Sequence, residues 1–396
     1  MTKVLSAIAA ILCGNAILMM GIGLFGTLIS VGMVQAGFPA LVVGLVQSAY
    51  YVGFMLGALG ASALIARIGH HRAFAVFAAV LSCAALGHAV FAQAVIWAVL
   101  RLIAGFCMVG LFTVVESWLH AAVSNKLRGR VFSFYLITAY LAAGVGQLLL
   151  NLADPASFKL FSLIACLFAL SLLPVTLTEQ RIQQDEPGVV GSPAGLRLSA
   201  LLQLYRSVPL GVWGGLAAGI LNSSFYAMAP VFMRGVGYSV AGVSSFMGAA
   251  MIAALMLQWP VGRLSDRFDR RGVLFVVALV AALSCAAIVW YRQGAWLEPM
   301  VYLYVSLSFT VYGLVISHVN DFIAHEQRIA VSAGLLLLFS IGGVLGPTIA
   351  SLVMTSVGPI GYFVFIGGVT GCLALQTLRV LLLSKRQMKP VSQLPG

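Results

Sequence analysis

The chain has 396 residues, of which 61% are hydrophobic and 8% charged, against roughly 45–50% and about 25% in an average soluble domain. With a mean hydropathy of +1.06, the apolar side chains exceed what a water-soluble core can hide, so an ordinary soluble enzyme is excluded and lipid is the remaining solvent. The net charge of +12 is read as basic residues gathered on one membrane face, and nucleic acid is not an expected partner.

A spanning helix needs about 20 apolar residues, and twelve such stretches follow one another. The first covers 4–33, too long for the roughly 7 to 15 residue core of a cleavable signal, so a retained helix is expected. Spans at 40–65, 73–92, 95–119, 131–152 and 157–177 complete a first half. The long polar stretch 178–208, with Glu179, Arg181, Asp185, Glu186, Pro187 and Arg197, reads as a linker. A second half follows at 209–233, 239–262, 273–291, 297–321, 329–354 and 358–382. The expected fold is an all-α membrane protein of twelve transmembrane helices in two pseudo-symmetric six-helix bundles, 1–177 and 209–396, joined by 178–208.

Alternate loops differ sharply in charge. Eighteen of the 22 Lys and Arg fall on one side, while Lys159, Arg234 and Arg292 fall on the other and Arg101 lies inside a span. The positive-inside rule therefore places both termini and the linker in the cytoplasm, with the chain in a cytoplasmic (inner) membrane of bacterial type. An offset of 200 residues superimposes Val31 on Val231, Met33 on Met233, Gly37 on Gly237, Arg67 on Arg267, Arg128 on Arg328 and Gly146 on Gly346. Duplicated halves of this kind enclose a midplane site.

After the eighth span comes Gly262-Arg263-Leu264-Ser265-Asp266-Arg267-Phe268-Asp269-Arg270-Arg271. This resembles the loop signature of the major facilitator superfamily, normally found after span two and echoed after span eight. The first-half copy, Ser62 to His71, has Ala66 where the family carries its acid. Arg101 followed by Gly105 and Gly110 resembles the family's Arg-x-x-x-Gly element of span four. Gly342 to Gly346-Pro347 is similar to a helix-bending element that the family's antiporters place in span five, where this chain has Gly144, Gly146 and Gln147 without proline. Val115-Glu116-Ser117 with Arg128-Gly129-Arg130 resembles the YcaD-like branch. The resemblance implies alternating access around a cavity lined by spans one, four, seven and ten.

Ionisable groups at membrane depth cost about 2.5 to 3.5 kcal/mol each on insertion scales, so each needs a partner or a task. Arg101, roughly 9 Å from the outer end of its span, is expected either to hold an anionic substrate in the cavity or to be pinned to backbone carbonyls. Glu116 sits near the cytoplasmic end, where it can reach Arg67, Arg72, Arg128 or Arg130 as a cytoplasmic gate, with Asp266, Arg267, Arg270 and Arg328 as the second-half counterpart. Its alternative task is proton carriage, shared as a candidacy by His318 and Asp321. Asn15, Gln47, Tyr50, Tyr51, Gln147, Asn222, Tyr226 and Tyr312 are the uncharged candidates for the cavity wall. His88 is expected to be interfacial. Gly53, Gly57 and Gly60 read as close-packing positions.

No Walker loop, nucleophile elbow or metal-ligand cluster occurs, so no enzyme activity, metal or cofactor is expected, and the scattered cysteines read as small hydrophobes. The expected function is secondary active transport, with proton-coupled export of a small neutral or anionic organic molecule by a monomer. Proton-coupled uptake of a sugar or organic acid is the alternative, and a non-transporting membrane receptor or scaffold is the rival from another class.

Overall fold

The computed structural model describes residues 2–123, 127–176, 208–291, 294–323 and 328–387. Apart from Val208, the expected linker lies outside these residues. Among them every regular element is helical, and twelve helices are long and apolar enough to cross a membrane. Spans one to six are Ser6–Gln35, Ala40–Ile68, His70–Val90, Ala94–Ala122, Gly129–Leu152 and Phe158–Thr176. Spans seven to twelve are Pro209–Gly235, Val240–Arg267, Arg270–Tyr291, Leu297–Phe322, Val331–Val357 and Gly361–Leu383. The end of the bundle that bears the linker is called the linker face and the opposite end the distal face.

Two boundaries move relative to the sequence reading. Span eight continues to Arg267, so the signature Gly262 to Arg267 forms its last turns instead of a loop. Nothing after Gly262 breaks the helix, and the Ser265 hydroxyl donates to the Gly262 carbonyl at 2.8 Å. Span ten, read as one helix, is interrupted at Phe309 and Thr310, between Leu297–Ser308 and Val311–Phe322. There the Thr310 amide and hydroxyl both donate to the Leu307 carbonyl, at 3.0 and 2.7 Å, which tightens the turn.

The offset of 200 residues recurs in the geometry. Gly37 and Gly237 both adopt positive φ, 81° and 94°, and each closes a helix with the same pair of bonds. Phe38 N–H donates to Met33 O at 3.0 Å and Gly37 N–H to Val34 O at 3.1 Å, matched by Tyr238 to Met233 at 3.0 Å and Gly237 to Arg234 at 3.1 Å. This is the glycine-terminated helix end in which a left-handed residue satisfies two orphan carbonyls. Packing repeats as well: span one lies against five and six, two against four, and three against four and six. Seven likewise lies against eleven and twelve, eight against ten, and nine against ten and twelve.

The halves meet along spans two and eleven, five and eight, and one and seven. Ser30 donates to Ala227 O at 2.7 Å, Ser48 to Val344 O at 2.7 Å, Asn151 to the Ser244 hydroxyl at 2.9 Å, and Ser244 to Gln147 O at 2.8 Å. Six of the seven residues in these cross-half bonds fall in the distal part of their spans, and Val344 lies at the middle of span eleven.

Candidate functional site

Spans two and four touch backbone to backbone because small residues face each other. A Cβ on Gly105 would strike the Tyr50 carbonyl, and one on Gly53 the Leu102 carbonyl. That approach carries Gln47 and Tyr50 onto Arg101. The Arg101 Nη2 donates to Gln47 Oε1 at 2.8 Å. Gln47 Nε2 in turn donates to Gly26 O at 2.9 Å and to the Ser30 hydroxyl at 2.6 Å in span one. Since Ser30 donates onward to Ala227 O of span seven at 2.7 Å, one chain of bonds runs from Arg101 to the opposite half.

Arg101 is 6% exposed. Its guanidinium lies over the Tyr50 ring at 4.6 Å and the Phe25 ring at 5.2 Å, so aromatic faces replace part of its lost hydration. The Nε–H is buried without a hydrogen-bond partner. Among the described residues no carboxylate lies within ion-pair distance of it. The expected pinning to backbone carbonyls is thus replaced by one side-chain amide, and one edge of a buried cation is half filled.

An aromatic wall continues from this cation across both halves. Tyr51 meets Tyr50 edge to face at 5.1 Å, and Phe309, at the break in span ten, contacts Tyr140, Phe225 and Tyr226 at 5.6 to 6.0 Å. The hydroxyls of Tyr50, Tyr51, Tyr140 and Tyr226 are close enough to interact electrostatically. Tyr226 donates to Met251 Sδ at 3.3 Å. Of the other polar candidates, Asn222 and Tyr312 are half-buried, and the Tyr312 ring lies 5.0 Å from Phe339. Asn15 and Gln147 are 1% and 0% exposed, and both polar atoms of each amide lack partners.

His88 departs from the expected interfacial position: it is 2% exposed. Phe25, Trp97 and Phe161 surround it at 5.1, 5.4 and 6.3 Å, and Nδ1 lies 2.7 Å from Ala84 O. Its ring ends an aromatic stack that begins at Arg101, with Phe25 shared by both.

Toward the linker face, Glu116 is exposed and hydrogen-bonded by the Tyr135 hydroxyl, with Tyr312 of the second half within electrostatic reach. Among the described side chains it forms no ion pair with Arg67, Arg72 or Arg130, all of which are exposed. The side chains of Arg128 and Arg328 lie outside the described residues. The second-half cluster is assembled: Arg270 lies 3.6 Å from Asp266 and 2.7 Å from Asp321, while Arg271 pairs with Asp269 at 3.0 Å. Asp321 therefore joins span ten to the start of span nine. His318 lines the same cleft, whereas Arg267 forms no ion pair among the described residues.

Side-chain and backbone bonds from Arg271 hold the Asp269 carboxyl below the usual carboxylate range. A depressed pKa in the folded state means that the pair stabilises the fold above the ordinary Asp value of about 3.9 and loses this contribution as pH falls through the folded value. Because Asp269 is half exposed, Asp269→Asn is expected to cost no more than about 0.5 kcal/mol at pH 7 and nothing at the acid end. Thermal melting of the two proteins in detergent across pH 3 to 7 measures the difference.

Sequence reasoning singled out Arg101, Gln47, Tyr50, Tyr51 and Tyr226, and the structure brings these together with one another. It did not single out Phe25, Ser30, Tyr135, Tyr140, Met251 or Phe309. Phe, Met and Ser are ordinary residues of apolar spans, and only the Ser-Leu-Ser-Phe-Thr run at 306–310 carried a local signal, that of a helix interruption.

The profile of the Major Facilitator Superfamily matches residues 11–335 of this chain. The uncharacterised MFS-type transporter YcaD of Salmonella arizonae is 30% identical over 369 residues, covering 93% of this chain and 94% of that protein. Among solved structures, the nucleoside transporter NupG superposes with a TM-score of 0.76 at 13% identity, over 96% of this chain and 99% of that one. The human organic anion transporter MFSD10 (TETRAN) gives 0.66 at 16%, over 94% and 99%.

Proposed function

Because the chain belongs to the Major Facilitator Superfamily and is a multi-pass membrane transporter, we propose that it moves a small organic anion, or a neutral molecule with an anion-like polar end, by secondary active transport. The observation that carries this reading is Arg101, a buried guanidinium with aromatic walls and, among the described residues, no carboxylate partner. A charge at that depth is costly unless something arrives to neutralise it. The Tyr, Phe and Met side chains beside it supply an adaptable apolar surface for the rest of a ligand.

The basic loops make the linker face cytoplasmic. With the halves bonded together distally, the site is positioned to load from the cytoplasm, and alternating access then delivers the ligand outward. Glu116 is the proton-coupling group in this reading: it is the one carboxylate inside a first-half span, and it faces Tyr312 of the other half. Proton entry in exchange for solute exit is the resulting cycle.

Proteoliposomes carrying an internal pH-sensitive dye test this with anionic, neutral and cationic solutes. Anionic and neutral solutes are expected to evoke proton movement in the sense of antiport, and cationic ones to evoke none. Glu116→Gln should abolish solute-evoked proton movement while leaving solute counterflow. Retention of coupled flux at an altered rate would make Glu116 a gate residue, and absence of counterflow with every solute would leave the receptor reading in its place.

A further inference from the structure

We propose that Gln47 is the switch by which an arriving carboxylate opens the distal face: the carboxylate takes the side-on Nε and Nη2 edge of Arg101, displaces Gln47 Oε1, and thereby loosens the Ser30 bond that ties span one to span seven. This rests on the reading of Arg101 as an anion site. The Nη2 half of that edge is held by Gln47 at 2.8 Å, and the Nε half is buried without a partner. A carboxylate presents two oxygens that match both positions, whereas the single amide oxygen satisfies one. Charge also favours the exchange, since an anion outbids a neutral acceptor for a buried cation.

Gln47 cannot leave Arg101 without consequence elsewhere. Its Nε2 is the donor to Gly26 O and to the Ser30 hydroxyl, so rotation of the amide removes the group that orients Ser30. Ser30 makes the polar tie between spans one and seven, to Ala227 O at 2.7 Å. The side chains from Gln47 to Ser30 are buried, so displaced partners are not replaced freely by water. Ligand binding and the distal seal thus compete for one amide, which is the differential interaction that a ligand-driven change of state requires. Ser48, Asn151 and Ser244 contribute further distal ties, so occupation of Arg101 removes one bond of several and shifts a population.

The test uses the full-length protein with a dye pair attached through non-natural side chains at Ala92 and Ala295. Both residues are exposed, one in each half, on distal loops. The probes are benzoate, indole-3-acetate and octanoate, each against its neutral amide. At least one carboxylate is expected to raise the melting temperature of the wild type and to lower energy transfer between the dyes, and its neutral amide, with one acceptor oxygen for the edge, to do both more weakly. Gln47→Glu places a carboxylate on Arg101 and removes the donor to Ser30, so it should show low transfer without ligand and bind the carboxylate at least tenfold more weakly. Ser30→Ala leaves the Arg101 edge intact and removes the tie that competes with the ligand, so it should bind the carboxylate at least as tightly as the wild type and show low transfer that no longer responds to ligand. Wild-type dye responses in either variant overturn the switch while leaving the anion site standing. Failure of all three carboxylates to shift the wild-type melt removes the anion site itself, and the switch with it.

Discussion

Replacing Arg101 by methionine is expected to abolish transport of organic anions while raising the stability of the folded protein. The two effects have one cause. A buried guanidinium bound to an incoming carboxylate forms a charge-assisted pair, and truncating one partner of such a pair costs about 2 to 5 kcal/mol, so anion flux should fall about thirtyfold or more. In the empty protein the same cation is held by one amide and two rings, with its Nε–H unsatisfied. Methionine of similar length removes the buried charge at the expense of Gln47 Oε1, whose lost bond is worth about 1 kcal/mol. Set against an insertion cost of about 2.5 to 3.5 kcal/mol for the charge, the balance favours the variant by about 1.5 to 2.5 kcal/mol. A guanidinium that only braced the helices would give the opposite sign, a fall in melting temperature. Arg101→Lys keeps the charge but lacks the side-on fork, and about a tenfold loss of flux with little change in stability is expected. Counterflow in proteoliposomes and thermal melting in detergent, run on the same preparations, separate the readings.

Gly105→Val should prevent the protein from folding. A Cβ at this position would meet the Tyr50 carbonyl, which is backbone and cannot swing aside. Overpacking a well-filled core costs about 1 to 3 kcal/mol when side chains can adjust, and a collision between two helix backbones exceeds that range. Spans two and four would separate, and Gln47 and Tyr50 would move off Arg101. Gly60→Val is the control, since a Cβ there meets only the Phe106 ring, at 3.7 Å. Monodisperse elution from a sizing column is expected for Gly60→Val and aggregation or loss from the membrane for Gly105→Val. Equal behaviour of the two would show that the contact between spans two and four is not needed.

The spans were legible in the sequence because lipid demands long uninterrupted apolar runs, and the duplication was legible because Gly37, Gly237, Gly146 and Gly346 answer a geometric need that no other residue meets as cheaply. Arg101 and Gln47 stood out for the same reason in reverse, as polar groups where they are costly. Their pairing was not readable, since a separation of 54 positions leaves no local pattern. Ser30 and Phe25 were silent because serine and phenylalanine are common in membrane helices whether or not they do anything. His88 does lie near the end of its span, but Phe25, Trp97 and Phe161 from neighbouring helices enclose it, and its burial was not readable from its own span. Glu116 was recognised as important, but Tyr135, its hydrogen-bond donor, lies on another span and carried no cue.

The offset of 200 residues that relates the two halves in backbone and packing does not relate them in chemistry. Opposite Arg101, Gln47, Tyr50 and Glu116 stand Val301, Met247, Ala250 and Ile316. At these four positions the first half carries the buried cation, its hydrogen-bonding neighbours and a carboxylate, and the second half carries apolar side chains alone, while the ion pairs of the second half stand elsewhere, at Asp266, Asp269, Arg270, Arg271 and Asp321. In the anion reading proposed above, a ligand therefore meets its charged contact in one half alone, and exchange of one apolar side chain for another at Val301, Met247, Ala250 or Ile316 leaves the charge of that contact unchanged.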